Sequence, residues 1–445
     1  MKENDGKAAA RRTLIQRAIG LSVAVVALLS LGGLISPSNE GKRTWKRVEQ
    51  RLQRHGTADW AAYPKMRMGT PDGETESGTS PYLLAILQGE MTLTTVNSRG
   101  LRVKSDGTYT GITGKFCKVN WISHKQSPST TPMFRDVLAQ SNTCTMEEID
   151  LATIVNRVRE YDTGLHTPSS NVHTLKLGGV AFHESRCGST LVANLMQAAN
   201  PHGHRVYSES PPPIEILREG DRYPPELLAP LLRDIVYLMS RSNDVKETHV
   251  FFKIQSLGTL YLPVFLEAFP DTPWIFVFRE PVQVLMSHFK GGPRHTSRAK
   301  CAQHYARPPA IVQDRLRSHD AATRPSYEEF CAAHFATLTE TALKHLQAPN
   351  SRGMAVEYSQ LPDIMWTTIL PKIWEIPITT DTLAFMKETA VQYSKGRGDR
   401  AGLTFEGDTE EKEDAAWEAV EHAAQSFLTD SYEKLQELSK VTSSK

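Results

Sequence analysis

The chain has 445 residues, with 51 Lys and Arg against 50 Asp and Glu and a net charge of +1. That balance excludes the strong basic excess of a dedicated nucleic-acid binder. Apolar residues at 40% and charged residues at 23% exclude a disordered or fibrous chain and suit a globular one with a sizeable core.

Residues 1–40 open with Lys7, Arg11, Arg12 and Arg17, and from Ala18 to Asn39 no residue is charged. The mostly apolar run Ile19–Ile35 approaches the roughly 20 residues that cross a bilayer and exceeds the h-region of a signal peptide. We therefore expect a short cytoplasmic tail and a single-pass type II membrane anchor over 1–40. The alternative is secretion after signal cleavage, for which Ser30 and Gly32 are suitably spaced. Lys42, Arg43, Lys46 and Arg47 follow the run, so the charge bias orients it little. Residues 41–81 read as a basic stem and a Gly/Ser/Thr/Glu-rich linker. Residues 82–171 hold short strand-like stretches, Met91–Val96 and Arg102–Val103, between turns, and are expected to form an accessory region without a motif.

The cysteines are Cys117, Cys144, Cys187, Cys301 and Cys331, with no CxxC pair. Zinc ribbons and thioredoxin-type motifs are excluded. Cys117 and Cys144 either form a disulfide in an oxidising compartment or are unrelated.

From residue 172 to about 440 the pattern becomes α/β. Leu175–Phe182, Arg205–Tyr207, His249–Ile254, Trp274–Phe278 and Met354–Glu357 read as strands. Leu191–Ala199, Leu260–Phe269, Val282–Phe289 and Thr382–Tyr393 read as helices, with Pro281 at a first helical position. This alternation predicts a mostly parallel central sheet flanked by helices, with ligands at the carboxyl ends of its strands.

Two loops carry chemistry. His183–Thr190 (HESRCGST) joins a strand to a helix, an arrangement that aims backbone N–H groups at an anion. There Arg186 supplies charge, Gly188 permits close approach, and Ser189 and Thr190 supply hydroxyls. It lacks the GxxxxGK[ST] of a Walker A loop. The second loop leaves WIFVF with Arg279 and has Ser287 about two helical turns on, so both can face one anion.

These loops resemble the two signature regions of the sulfotransferases, whose fold is related to that of P-loop kinases. Arg186, Cys187, Gly188, Ser189 and Thr190 match their [K/R]-x-G-[S/T]-[S/T] motif. The resemblance implies that this loop binds the 5′-phosphosulfate of 3′-phosphoadenosine 5′-phosphosulfate (PAPS). Arg279 and Ser287 match the pair that binds the 3′-phosphate. Lys395, Gly396 and Arg397 resemble a late Lys-Gly loop that closes over the same phosphate. The resemblance spans about Val172 to Lys440. It implies a P-loop NTPase-like sulfotransferase fold, PAPS as co-substrate and no metal.

One departure stands out. Where the cytosolic branch has Lys-x-His, with His as the catalytic base, this chain has Lys253–Ile254–Gln255. The membrane-bound carbohydrate branch often uses Glu instead, and Glu209 is the candidate base beside the catalytic Arg186, with His183 and Glu184 next. The implied acceptor is a glycan or another lumenal small molecule, reached from a Golgi membrane, with no nucleic-acid partner. The rival functions are a P-loop-type kinase, which would need the absent Walker lysine, and a non-catalytic membrane-anchored nucleotide-binding protein.

Three further features are read structurally. Gly396–Ala401 fits GxGxxA but follows a helix rather than a strand. His202 and His204 sit in a Pro/Gly turn and are read as solvated. Glu406–Glu418 is read as the solvated, charged start of a terminal helix.

Overall fold

The computed structural model describes residues 81–141, 143–164, 171–318 and 324–443. The anchor expected over 1–40 and the stem up to residue 80 lie outside the described residues. Among the described residues no helix is long and apolar enough to cross a membrane.

The first part is a small antiparallel sheet. Strand β1 (Thr92–Asn97) pairs with β2 (Thr113–Lys118), whose other partners are β3 (Thr143–Cys144) and β4 (Ile149–Asp150). Helix α1 (Leu151–Asp162) follows, with the Asp150 carboxylate capping the Thr153 N–H at 2.8 Å.

The main sheet has five parallel strands: β5 (Lys176–His183), β6 (His204–Ser208), β7 (His249–Lys253), β8 (Trp274–Phe278) and β9 (Gly353–Glu357). Their spatial order is β9-β8-β5-β7-β6. Continuous apolar stretches such as WIFVF suit strands covered on both faces. Arg205–Tyr207 is thus the heart of an edge strand, and the first strand sits in the centre. With right-handed crossovers, the chain leaving β5 passes over one face, whereas the chain leaving its neighbours β7 and β8 passes over the other. The carboxyl end of β5 is therefore a switch point, where an open α/β sheet forms its crevice.

On one face, α2 (Ser189–Ala198) brings Leu195 and Met196 against Ala181, Phe251 and Val277. Trp374 joins this cluster because Gly179 of β5 leaves room for it; a Cβ there would lie 2.4 Å from the indole. Helix α8 (Thr380–Val391) lies on the same side through Met386. The other face carries α3 (Pro211–Arg218), α4 (Pro225–Ser240), α5 (Leu262–Ala268) and α7 (Tyr327–Leu346); α6 (Pro281–His288) follows β8. There Phe182 meets Phe265 and Trp274 edge-on, with centroids 5.3 and 6.1 Å apart. The C-terminal helices are α9 (Thr409–Asp414), α10 (Glu418–Phe427) and α11 (Thr429–Ser443), the last bringing Tyr432 against Phe278.

Residues 82–162 belong to the same compact unit as the sheet. Thr92 Oγ1 and Tyr207 Oη share a hydrogen bond of 2.9 Å, and Tyr109 Oη donates to Asp234 at 2.7 Å. Arg241 ion-pairs with Asp162 and donates to the Ile86 carbonyl, both at 2.6 Å. Two disulfides are present: Cys117–Cys144 joins β2 to β3, and Cys301–Cys331 ties the segment after α6 to α7. Cys187 is free and buried.

The structure corrects the solvated reading of His204. It is buried in β6 with Nδ1 2.7 Å from the Met196 carbonyl oxygen, because the turn it was assigned to ends one residue earlier.

Candidate active site

The first loop leaves β5 through an unusual backbone. Ser185, Arg186 and Gly188 have φ values of 93°, 55° and 83°, and two of these three are residues that rarely enter the left-handed region. The turn delivers the chain into α2 at Ser189, with Gly188 at the N-cap and no side chain capping it. Gly188 therefore offers no side chain to cap the first-turn N–H groups of α2. Ser189 and Thr190 are buried, and Arg186 is half-buried. Gly188 is tight as well as strained: a Cβ there would stand 2.7 Å from Cδ2 of Tyr358. The Cys187 thiol lies in the apolar cluster beneath α2, and burial pushes it up to about 12.

The second loop is clasped to the first. The backbone N–H of Arg279 donates to Glu184 Oε1 at 2.6 Å, and burial pushes the Glu184 carboxyl well above its usual range. Glu184 is thus occupied as a clasp. The Arg279 guanidinium is 5% exposed and lies over the Tyr358 ring, 4.1 Å from its centroid. Its Nε donates to Gln283 Oε1 at 2.6 Å. Its Nη2 reaches Thr409 Oγ1 at 3.1 Å and Asp408 Oδ1 at 3.3 Å. The N-terminus of α6 is closed by the Glu280 carboxylate, which accepts from Val282 and Gln283 N–H at 2.9 and 2.8 Å. Ser287 is buried in α6, and the next residue, His288, places Nε2 3.2 Å from Ser185 Oγ.

Beside the first loop, at the ends of β7 and β6 and on the side of β5 away from the second loop, lies a group of charges. The Lys253 ammonium is buried and ion-paired with Glu209. Glu209 has a left-handed φ of 55°, and its N–H donates to the Lys253 carbonyl at 2.8 Å. His183 Nε2 stands 3.8 Å from Glu209 Oε1, while its Nδ1 accepts from Ser185 N–H at 3.0 Å. Burial alone would raise the Glu209 carboxyl, but Lys253, His183 and Lys395 overcome it and hold it down to about 2. Burial and then the adjacent Lys253 push the His183 imidazole well below its usual value. Burial and then the neighbouring cations Lys253 and Arg186 pull the Lys395 ammonium down to about 8. Asn194 on α2 donates to the Ser394 carbonyl at 3.0 Å, which holds this late loop beside the first.

Arg186, Lys395 and Glu209 are therefore brought together, along with Cys187, Gly188, Ser189 and Thr190 at the head of α2. Arg279 lies in the neighbouring loop and Ser287 in the helix α6 that follows it. Lys395 acts electrostatically on Arg186, Lys253 and Glu209 rather than on Arg279. Gly396 packs near the Ser129 carbonyl, and Arg397 turns to Asp136, with Nη2 2.6 Å from Oδ2. The Glu406–Glu418 stretch is not one solvated face. Its short helix α9 is separate from α10, and Asp408, Thr409 and Glu413 contact Arg279 and Gln283.

Sequence reasoning named Lys253 only as part of a departure, and it passed over Tyr358. Both signals were present: each residue ends or follows a buried strand, HVFFK and GMAVE, as Arg279 follows WIFVF.

No family model and no curated protein matches this chain. Among solved structures the chain is similar to the sulfotransferase domain from the Synechococcus PCC 7002 olefin synthase, at 14% identity and a TM-score of 0.28, over 59% of this chain and 95% of that one.

Proposed function

We propose that this chain is a PAPS-dependent sulfotransferase that moves a sulfuryl group to a hydroxyl or amine acceptor. The observation that carries this reading is the convergence of two Arg-bearing loops on one aromatic ring. Arg279 stacks on Tyr358, and Gly188, at the head of α2, presses on the same ring. An anion-binding turn and a second guanidinium then line one crevice, as a ligand with phosphates at two ends requires. The residues fit such a ligand, because Lys395 lies near Arg186, Lys253 and the carboxylate of Glu209, and burial followed by repulsion from Lys253 and Arg186 depresses its ammonium. A bound polyanion would relieve that repulsion.

Bound PAPS would supply the activated sulfuryl group. The first-turn N–H groups of α2 with Ser189 and Thr190 hold the 5′-phosphate end, and Arg279 with Ser287 holds the 3′-phosphate. Arg186 balances negative charge as it develops at the leaving oxygen. Glu209 takes the acceptor proton. Clamped by Lys253 at about 2, its carboxylate is a feeble base. An anion that draws Lys253 away leaves burial as the main influence, which raises the carboxyl and makes Glu209 a better base once the ligand is in place.

The acceptor class we favour is a glycan or another lumenal small molecule, with the chain held as a type II protein in a Golgi membrane. The apolar run Ile19–Ile35 supports this, as do the two disulfides, which form and persist in oxidising compartments.

Transfer of radiolabelled sulfate from PAPS to a mixed pool of glycans and hydroxylated small molecules tests the reading. Wild type should transfer, and Arg186→Ala should lose about 10²–10³-fold in rate. PAPS binding without transfer by wild type would point to a nucleotide-binding protein, and phosphate transfer from ATP to a kinase.

A further inference from the structure

The charge on Arg279 is already answered from within the chain. Asp408 Oδ1 lies 3.3 Å from Arg279 Nη2 and 2.6 Å from Lys412 Nζ. Thr409 Oγ1 stands 3.1 Å from the same Nη2. Glu413 Oε1 accepts from Gln283 Nε2 at 2.6 Å, which fastens α9 to α6. One carboxylate thus sits between two cations and beside a hydroxyl, at the spot where the second loop would hold an anion.

Three features make this carboxylate exchangeable. The guanidinium itself is fixed, by Gln283 at Nε and by the Tyr358 ring beneath it. The Arg279–Asp408 contact is longer than the 2.7–2.9 Å usual for a charge-assisted bond. The Asp408 side chain is 38% exposed, against 5% for Arg279, so it can return to water when it leaves.

We propose that Asp408 is a built-in stand-in for a phosphate. The ribose 3′-phosphate of the nucleotide displaces it, and Thr409 and Lys412 then join Arg279 and Ser287 in holding that phosphate. This rests on the PAPS reading, since it names the ligand group that Arg279 receives. A phosphate carries more charge than a carboxylate and offers three oxygens, so it can satisfy Arg279, Thr409 and Lys412 together. Internal competition weakens binding of the nucleotide, and it leaves no uncompensated cation when the site is free.

Calorimetric titration of the full chain with adenosine 3′,5′-bisphosphate, and separately with adenosine 5′-phosphate, tests this. Asp408→Asn should bind the bisphosphate about three- to fivefold more tightly than wild type, the size of one partly exposed ion pair. Lys412→Met and Thr409→Val should bind it more weakly. None of the three should change the affinity for adenosine 5′-phosphate, which lacks the 3′-group. Unchanged bisphosphate affinity in Asp408→Asn, with a loss in Arg279→Ala, overturns the stand-in and spares the parent reading. If wild type does not prefer the bisphosphate and Arg279→Ala changes nothing, both fall together.

Discussion

Lys395 shows how a pocket of like charges titrates. Its ammonium, normally near 10.5, is brought to about 8 by burial and by Lys253 and Arg186. A bound anion favours the protonated form and lifts that value again. Below about pH 8 the residue is charged with and without nucleotide, so affinity is flat. Above it the free protein loses the proton first, binding must take one up, and affinity falls by up to tenfold per pH unit. Dissociation constants for adenosine 3′,5′-bisphosphate measured between about pH 6 and pH 10 should show this limb, and Lys395→Met should flatten it. An unchanged limb in that variant would assign the titration elsewhere. The sequence marked Lys395 as an anion ligand through a short motif but could not show its neighbours. Glu209 is similar: its position after a strand was legible, whereas its partner Lys253 is 44 residues away.

At the scale of elements, the turn from β5 into α2 is the piece most open to test. Gly188→Ala would place a Cβ 2.7 Å from Tyr358 on a residue with φ 83°. We expect a loss of about 1 to 3 kcal/mol from the left-handed backbone and the contact together, read by urea denaturation. Tyr358→Ala in the same chain should recover part of it, and strict additivity of the two changes would show that the ring is not the obstacle. The strand and helix themselves were legible. Apolar runs such as WIFVF and the helical spacing after Gly188 are local properties of the chain. The contact between Gly179 and Trp374 was not, because a glycine in a strand announces room without naming what fills it. The acidic stretch around Asp408 was misread for a related reason. Charge density alone looks like a solvated face until a buried cation is found opposite it.

At the scale of the molecule, the two disulfides fasten the parts that lie outside the sheet. Cys301 and Cys331 are separated by 30 residues, for which the chain-entropy estimate of the stabilisation is about 3 to 4 kcal/mol. Replacing both with Ala should lower the urea midpoint by a corresponding amount relative to the oxidised wild type, and reductant should bring the wild type towards the variant. Equal midpoints under oxidising conditions would show that the link stabilises nothing. The alternation of strands and helices, the Gly-containing turn into α2 and the two Arg-bearing loops that follow strands were determined by the sequence, because periodicity, Gly and Pro placement and strand-end position act over a few residues. The tertiary structure alone decided that the first strand lies centrally between β7 and β8, that Lys395 faces Arg186 while Arg397 turns to Asp136, and that Asp408 reaches Arg279. Coulomb interactions and packing act through space, and the chain reveals which charges meet only once the order of its strands is set.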